Sequence, residues 1–143
     1  MIPDNENRRP VDAPVPVRLK LAALWTSAMF CYLYADYFGL FIPGTLEGML
    51  QGRMAPLGAV NQAMLLGTST MMAIPSVMIA LSLLLPFRLS RVLNIVTGVL
   101  YTLIILVTMW SWAFFVLYGV IEVLLTGTIA WSAWRWGRPP AQV

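Results

Sequence analysis

Histidine is absent from this chain, and cysteine occurs once, at Cys31. The first absence removes the common haem and zinc ligand and the side chain that most often acts as a general base near neutral pH. The second excludes an intramolecular disulfide and leaves the redox compartment open. Charge is scarce too: 10% of the residues are Asp, Glu, Lys or Arg, against 59% hydrophobic, and mean hydropathy is +0.78. A soluble helical bundle needs a charged face on each helix. Between Leu21 and Trp134 the only charged residue types are Asp36, Glu47, Arg53, Arg88, Arg91 and Glu122, too few for such faces. There is no Walker, Rossmann or zincin pattern, no internal repeat and no separate soluble domain. No cofactor or metal is expected.

The composition is that of an integral membrane protein. The net charge of +3 does not point to nucleic acid, because the basic residues flank apolar stretches instead of forming a patch. Their expected partner is the lipid bilayer, at its anionic headgroup level.

Residues 1–17 carry Pro3, Pro10, Pro14 and Pro16 among mixed charges and read as a disordered cytoplasmic tail. A secretory signal is the competing reading, but the apolar stretch after Lys20 runs on through Phe41 without a small-x-small cleavage site. Residues 18–136 form the expected transmembrane domain and 137–143 a second cytoplasmic tail. Four stretches, about 19–42, 57–85, 92–109 and 112–134, have the roughly 20 residues that a bilayer crossing needs. The fold class expected is all-α, an antiparallel up-down four-helix membrane bundle. Pro43 and Gly44 stop the first span, and a short interfacial segment follows, in which Thr45 is a candidate cap and Leu46, Met49 and Leu50 share a side. Pro75 inside the second span predicts a kink or tilt. Arg88 and Arg91 sit in the expected turn before the third span, and Trp110 and Trp112 are expected interface anchors.

Arg8, Arg9, Arg18, Lys20, Arg88, Arg91, Arg135 and Arg138 fall on one side of these spans and only Arg53 on the other. By the positive-inside rule both termini are cytoplasmic.

Acids within spans are costly in hydrocarbon and mark functional candidates. Glu122 lies near the midplane, roughly 15 Å from the far end of its helix, and Asp36 roughly 10 Å deep. Helical spacing puts Tyr118, Glu122 and Thr126 on one face, and Tyr32 with Asp36 on another. Asn94, Tyr101 and Thr108 repeat every seven residues, as do Gln62, Ser69 and Ser76. Such stripes should turn inward, because lipid offers them no partner. Depth matching suggests an outer layer of Asp36 with Gln62 or Asn61 and a middle layer of Glu122 with Tyr101 and Ser69. Glu122, Asp36, Tyr118, Tyr101, Gln62 and Ser69 are therefore the candidate binding residues, with no catalytic set. The same stripes also serve as ordinary glue between helices, and Asp36 could reach Arg53 or the short segment after Pro43. Gly98, Gly119, Gly127, Ala130 and Ala133 suit close helix approach or a homodimer contact. Cys31 reads as a small buried apolar residue, and Met71 and Met72 as adaptable filling near Pro75.

The strings ADYFGLFIPGTLEGMLQGRM, AIPSVMIALSLLL, RLSRVLNIVTGVLYT and IEVLLTGTIAWSAWRW resemble a family of small four-helix bacterial membrane proteins known as a domain of unknown function. The resemblance spans about 18–136. Its most specific features are Asp36 followed by Pro43, the Ile74-Pro75 pair, the turn from Arg91 to Asn94, and Glu122. It implies a bundle in a bacterial inner (plasma) membrane and no known activity, so no functional residue is carried over from it. A looser similarity in layout to DoxX-like membrane proteins rests on architecture alone.

Three functions fit these residues. The favoured one is proton- or cation-linked passage of a small solute, with Glu122 as the binding carboxyl. The second is a non-enzymatic accessory or structural subunit of a membrane complex. The third, a quinone- or lipid-associated enzyme, has only Asp36, Glu47, Glu122 and tyrosines for acid-base work, so no enzyme is expected.

Overall fold

The computed structural model describes residues 14–137. The expectations for most of the leading tail, including Arg8 and Arg9, and for Arg138 and the rest of the trailing tail lie outside the described residues.

The chain is mostly helical: α1 Val17–Gly39, α2 Thr45–Leu50, a two-stranded hairpin of β1 Arg53–Met54 and β2 Gly58–Ala59, then α3 Gln62–Leu84, α4 Phe87–Thr108 and α5 Ala113–Arg135. The four long helices pack side by side, α1 on α3 and α5, α4 on α5 and, less extensively, on α3. Neighbours run antiparallel. The start of α1 meets the end of α3 where Arg18 donates to the Leu83 and Leu85 carbonyls at 2.8 and 2.6 Å. The end of α1 meets the start of α5, where Phe38 stacks on Tyr118. One end of the molecule thus holds the start of α1, the α3–α4 turn and the end of α5. It is called the termini end here, and the other, with α2 and the strands, the hairpin end.

Three helices, Gln62–Leu84, Phe87–Thr108 and Ala113–Arg135, are long and apolar enough to cross a membrane. Helix α1 matches them in length, but Arg18, Lys20, Asp36 and the tyrosines at 32, 34 and 37 lower its hydropathy. The solvent implied by the packing is apolar. Ser82, Ser90, Asn94, Thr97, Glu122 and Thr126 are buried, while Leu66, Leu84, Val107, Leu117 and Leu124 are among the most exposed side chains. That inside-out distribution is consistent with a multi-pass membrane protein.

Element bounds depart from the sequence reading where local chemistry intervenes. The second long helix begins at Gln62, five residues late, because Gly58 takes a positive φ of 95° in the strand hairpin and Asn61 then caps the helix, its Oδ1 accepting from the Met64 amide at 2.9 Å. Helix α4 starts early, at Phe87, so Arg88 and Arg91 belong to the helix, and the turn shrinks to Leu85-Pro86. Pro86 at the N-cap suits this, since its ring fixes φ and no amide is required there. Thr45 is not a cap: Gly44, left-handed at φ 85°, occupies that position without a side-chain bond. Helix α3 runs through Pro75, which is buried.

Candidate functional site

Toward the termini end, buried polar groups find partners. Asn94 Oδ1 accepts from the Trp25 indole at 2.8 Å and from the Ser82 hydroxyl at 3.1 Å, joining α1, α3 and α4. Asn94 Nδ2 donates to the Ser90 carbonyl at 2.8 Å, and the Ser90 hydroxyl to the Ser82 carbonyl at 3.3 Å. Asn94, Ser82, Ser90 and Trp25 are fully buried. An Asn side chain has two acceptor and two donor positions, and this network uses most of them.

Tyr101, one heptad further along α4, donates its hydroxyl to the Met71 carbonyl. Met71 is four residues before Pro75. A helical carbonyl normally accepts from the amide four residues on, and proline has none to give. Tyr101 therefore supplies the donor that Pro75 lacks. This bond places Tyr101 in a structural role and away from the pairing with Glu122 that depth matching suggested. Across the α4–α5 contact the helices come close at Gly98, where a Cβ would stand 3.0 Å from the Thr126 carbonyl and 3.2 Å from the Ala130 Cβ. The Thr102 and Thr126 hydroxyls meet there at 2.7 Å.

At about the same depth, between α1 and α5, the pattern breaks. Glu122 is 6% exposed, and its Oε1 is buried with no hydrogen-bond partner. The Tyr32 hydroxyl on the facing helix is buried and equally without one. Tyr32 belongs to α1, which packs against α5, and Asp36 lies one turn further along α1. The Tyr32 ring also lies against Tyr101, centroids 6.4 Å apart. Two buried oxygen-bearing side chains on packed helices thus have a polar atom unmatched among the described residues. Buried polar atoms are nearly always paired, so two unmatched atoms on facing helices make this the candidate site.

Asp36 itself is exposed at the α1 surface. Arg53 does not pair with it but donates to the Gln51 side chain. The structure buries Glu122 and Tyr32 in the α1–α5 contact, with Asp36 one turn along α1 from Tyr32 and exposed, and leaves out two other candidates. Gln62 and Ser69 are exposed on α3, so this part of the stripe turns outward, while Ser76, also exposed, donates to Met29 Sδ on α1 at 3.5 Å. The reason is the weak contact of α3 with α4: what α3 buries is Pro75, Met78 and Ser82, on the opposite side of its second half. Tyr118 is half-buried, one turn from Glu122, in a groove of about 410 Å³ at the hairpin end. Phe38, Phe41, Trp112 and Phe114 also line it.

Sequence reasoning missed the Trp25–Asn94–Ser82 network and this aromatic groove. Trp25, Tyr32 and Gly39 recur every seven residues on α1 and are all buried, a signal that was available. Gly119 packs as expected, with the Met109 Cβ only 2.6 Å from where its own would be, whereas Gly127 meets nothing within 4 Å among the described residues.

Comparison with known proteins adds one finding. No curated protein and no solved structure matches the chain. A family model described as a family of unknown function, DUF6326, matches residues 16–140, from the last proline of the leading segment to beyond the end of α5. With nearly all of its length matched, the chain belongs to the DUF6326 family.

Proposed function

We propose that this protein is a four-helix membrane bundle that passes a small solute across the bacterial inner membrane in exchange for a proton or cation held at Glu122, without enzymatic chemistry. The observation that carries the reading is the pair of buried, unpartnered oxygens, Glu122 Oε1 and Tyr32 Oη, between α1 and α5. A carboxyl and a phenol offer oxygen ligands to a cation, or one acceptor and one donor to a hydrated proton. Asp36 adds a second carboxyl toward the hairpin end, and the aromatic groove beside Tyr118 supplies apolar walls and ring faces that attract a cationic solute.

Helix α1 is the fourth crossing in this reading. Its 23 residues reach from the end of α3 to the start of α5, the thickness that the other long helices cover, and a rise of about 1.5 Å per residue makes that enough for a bilayer. Its acid is tolerable because it lies near one end, where headgroups and water begin. The cations Arg18, Lys20, Arg88, Arg91 and Arg135 all sit at the termini end, which is therefore cytoplasmic.

The test is proton release from purified protein in weakly buffered detergent on adding inorganic and quaternary ammonium cations. The wild type should release a proton and Glu122→Gln should not. Identical traces for every cation count against the proposal. A second reading, an accessory subunit or a homodimer, is favoured by the outward polar residues Gln62 and Ser69 on α3. It predicts that cross-linking in native membranes joins α3 to a second polypeptide, and that Glu122→Gln leaves activity intact.

A further inference from the structure

The termini end carries a second groove, of about 310 Å³, between the start of α1 and the end of α5. Lys20, Arg135, Ser132, Trp131 and Trp136 line it. We propose that it binds the phosphate of an anionic phospholipid headgroup.

The cations at this end fall into two kinds. Arg18 and Arg91 are spent on helix ends, Arg18 donating to the Leu83 and Leu85 carbonyls and Arg91 to the Trp134 carbonyl at 2.8 Å. Among the described residues Lys20 and Arg135 enter no such bond, yet they converge on one concavity from helices far apart in the chain. The acids among the described residues are Asp36, Glu47 and Glu122, and none lines this groove. A charge signal that only fixes topology requires no convergence, and Arg88, exposed and outside the groove, has the character of such a residue.

The walls favour a lipid over a free anion. Arg135 lies over the Trp131 ring at 5.4 Å and Arg18 over Trp136 at 5.6 Å, so each indole presents a ring to a cation. Indoles of this kind settle at the headgroup level. Trp131 and, two turns below it on α5, Leu124 are exposed and apolar. A phosphate held by Lys20 and Arg135 leaves the acyl chains along that face, where α5 has no protein cover.

Native mass spectrometry of the full chain, released from detergent in the presence of equal phosphatidylglycerol and phosphatidylcholine, tests this. The wild type should retain phosphatidylglycerol preferentially. Each of Lys20→Gln and Arg135→Gln should lower that preference about fivefold, and the pair about 25-fold, the effect of one and two headgroup cations. Arg88→Gln should leave it unchanged. Should the double variant fail to fold, the two single variants decide the matter. Unchanged retention in both singles overturns the proposal, as does an equal loss in Arg88→Gln, which would make the effect general surface charge. Displacement of the lipid by an equal concentration of inorganic phosphate also overturns it, since the site would then belong to a soluble anion.

Discussion

The termini half and the middle of the bundle treat buried polar atoms in opposite ways. Around Asn94 the buried polar side chains each meet a partner, and three helices share one amide side chain. Between α1 and α5, a few turns away, Glu122 and Tyr32 keep buried oxygens with nothing to face. The two regions are built from the same long helices, so the contrast lies in how their polar side chains are matched. A satisfied network holds helices together, and under the proposed function the unsatisfied one is where the cation is held. In a bilayer this contrast is sharper, because hydrocarbon supplies no substitute partner.

The comparison can be broken most forcefully at Asn94. Asn94→Ala removes four hydrogen bonds, the one to the Ser90 hydroxyl long at 3.4 Å, at about 0.6 kcal/mol each in membrane proteins, so it should cost about 2 kcal/mol, read as reduced resistance to unfolding in a denaturing detergent titration. Gly98→Ala comes next. The added Cβ meets the backbone of Thr126 and Ala130 on α5, which cannot move aside as a side chain could. A loss of about 1–2 kcal/mol is expected from overpacking, while Gly127→Ala, with open space around it, should change nothing in the same titration.

Tyr101→Phe should cost about 1 kcal/mol by stranding the Met71 carbonyl. Its sharper form is a double-mutant cycle. Pro75→Ala restores the amide that Met71 lacks, so Tyr101→Phe should be nearly harmless on that background. Additive losses would show that the hydroxyl does something other than replace the missing donor. The smallest effect on stability is expected at the other region. Tyr32→Phe removes an oxygen that bonds to nothing, so the fold should be as stable as before or slightly more so, while cation-induced proton release weakens. A loss of stability comparable to that of Asn94→Ala would put Tyr32 in the class of glue.

Much of this architecture is legible in the chain itself. Scarce charge, four long apolar runs and a one-sided distribution of Arg and Lys define the helices and their alternation. Glu122 stands out because an acid between Ile121 and Val123 in an apolar run has few explanations. Two things escape that logic. Heptad spacing says which residues share a helix face but not which face turns inward, so Gln62 and Ser69 pattern as Asn94 does and yet lie outside. Nor can spacing reveal that Tyr101 is engaged by the Met71 carbonyl across 30 residues of chain, since the need arises only when α3 continues as helix through Pro75. Helix starts were displaced for a related reason, at Gly58, Asn61 and Pro86, where turn geometry and capping outweigh hydropathy.

Infrared difference spectroscopy of the purified protein, with and without a bound cation, observes the Glu122 carboxyl directly through its C=O stretch. Loss of a protonated-carboxyl band on cation addition in the wild type and in Asp36→Asn, together with its absence in Glu122→Gln, is the result expected of an exchange site. A spectrum in which the Glu122 band stays unchanged with every inorganic and organic cation would contradict it.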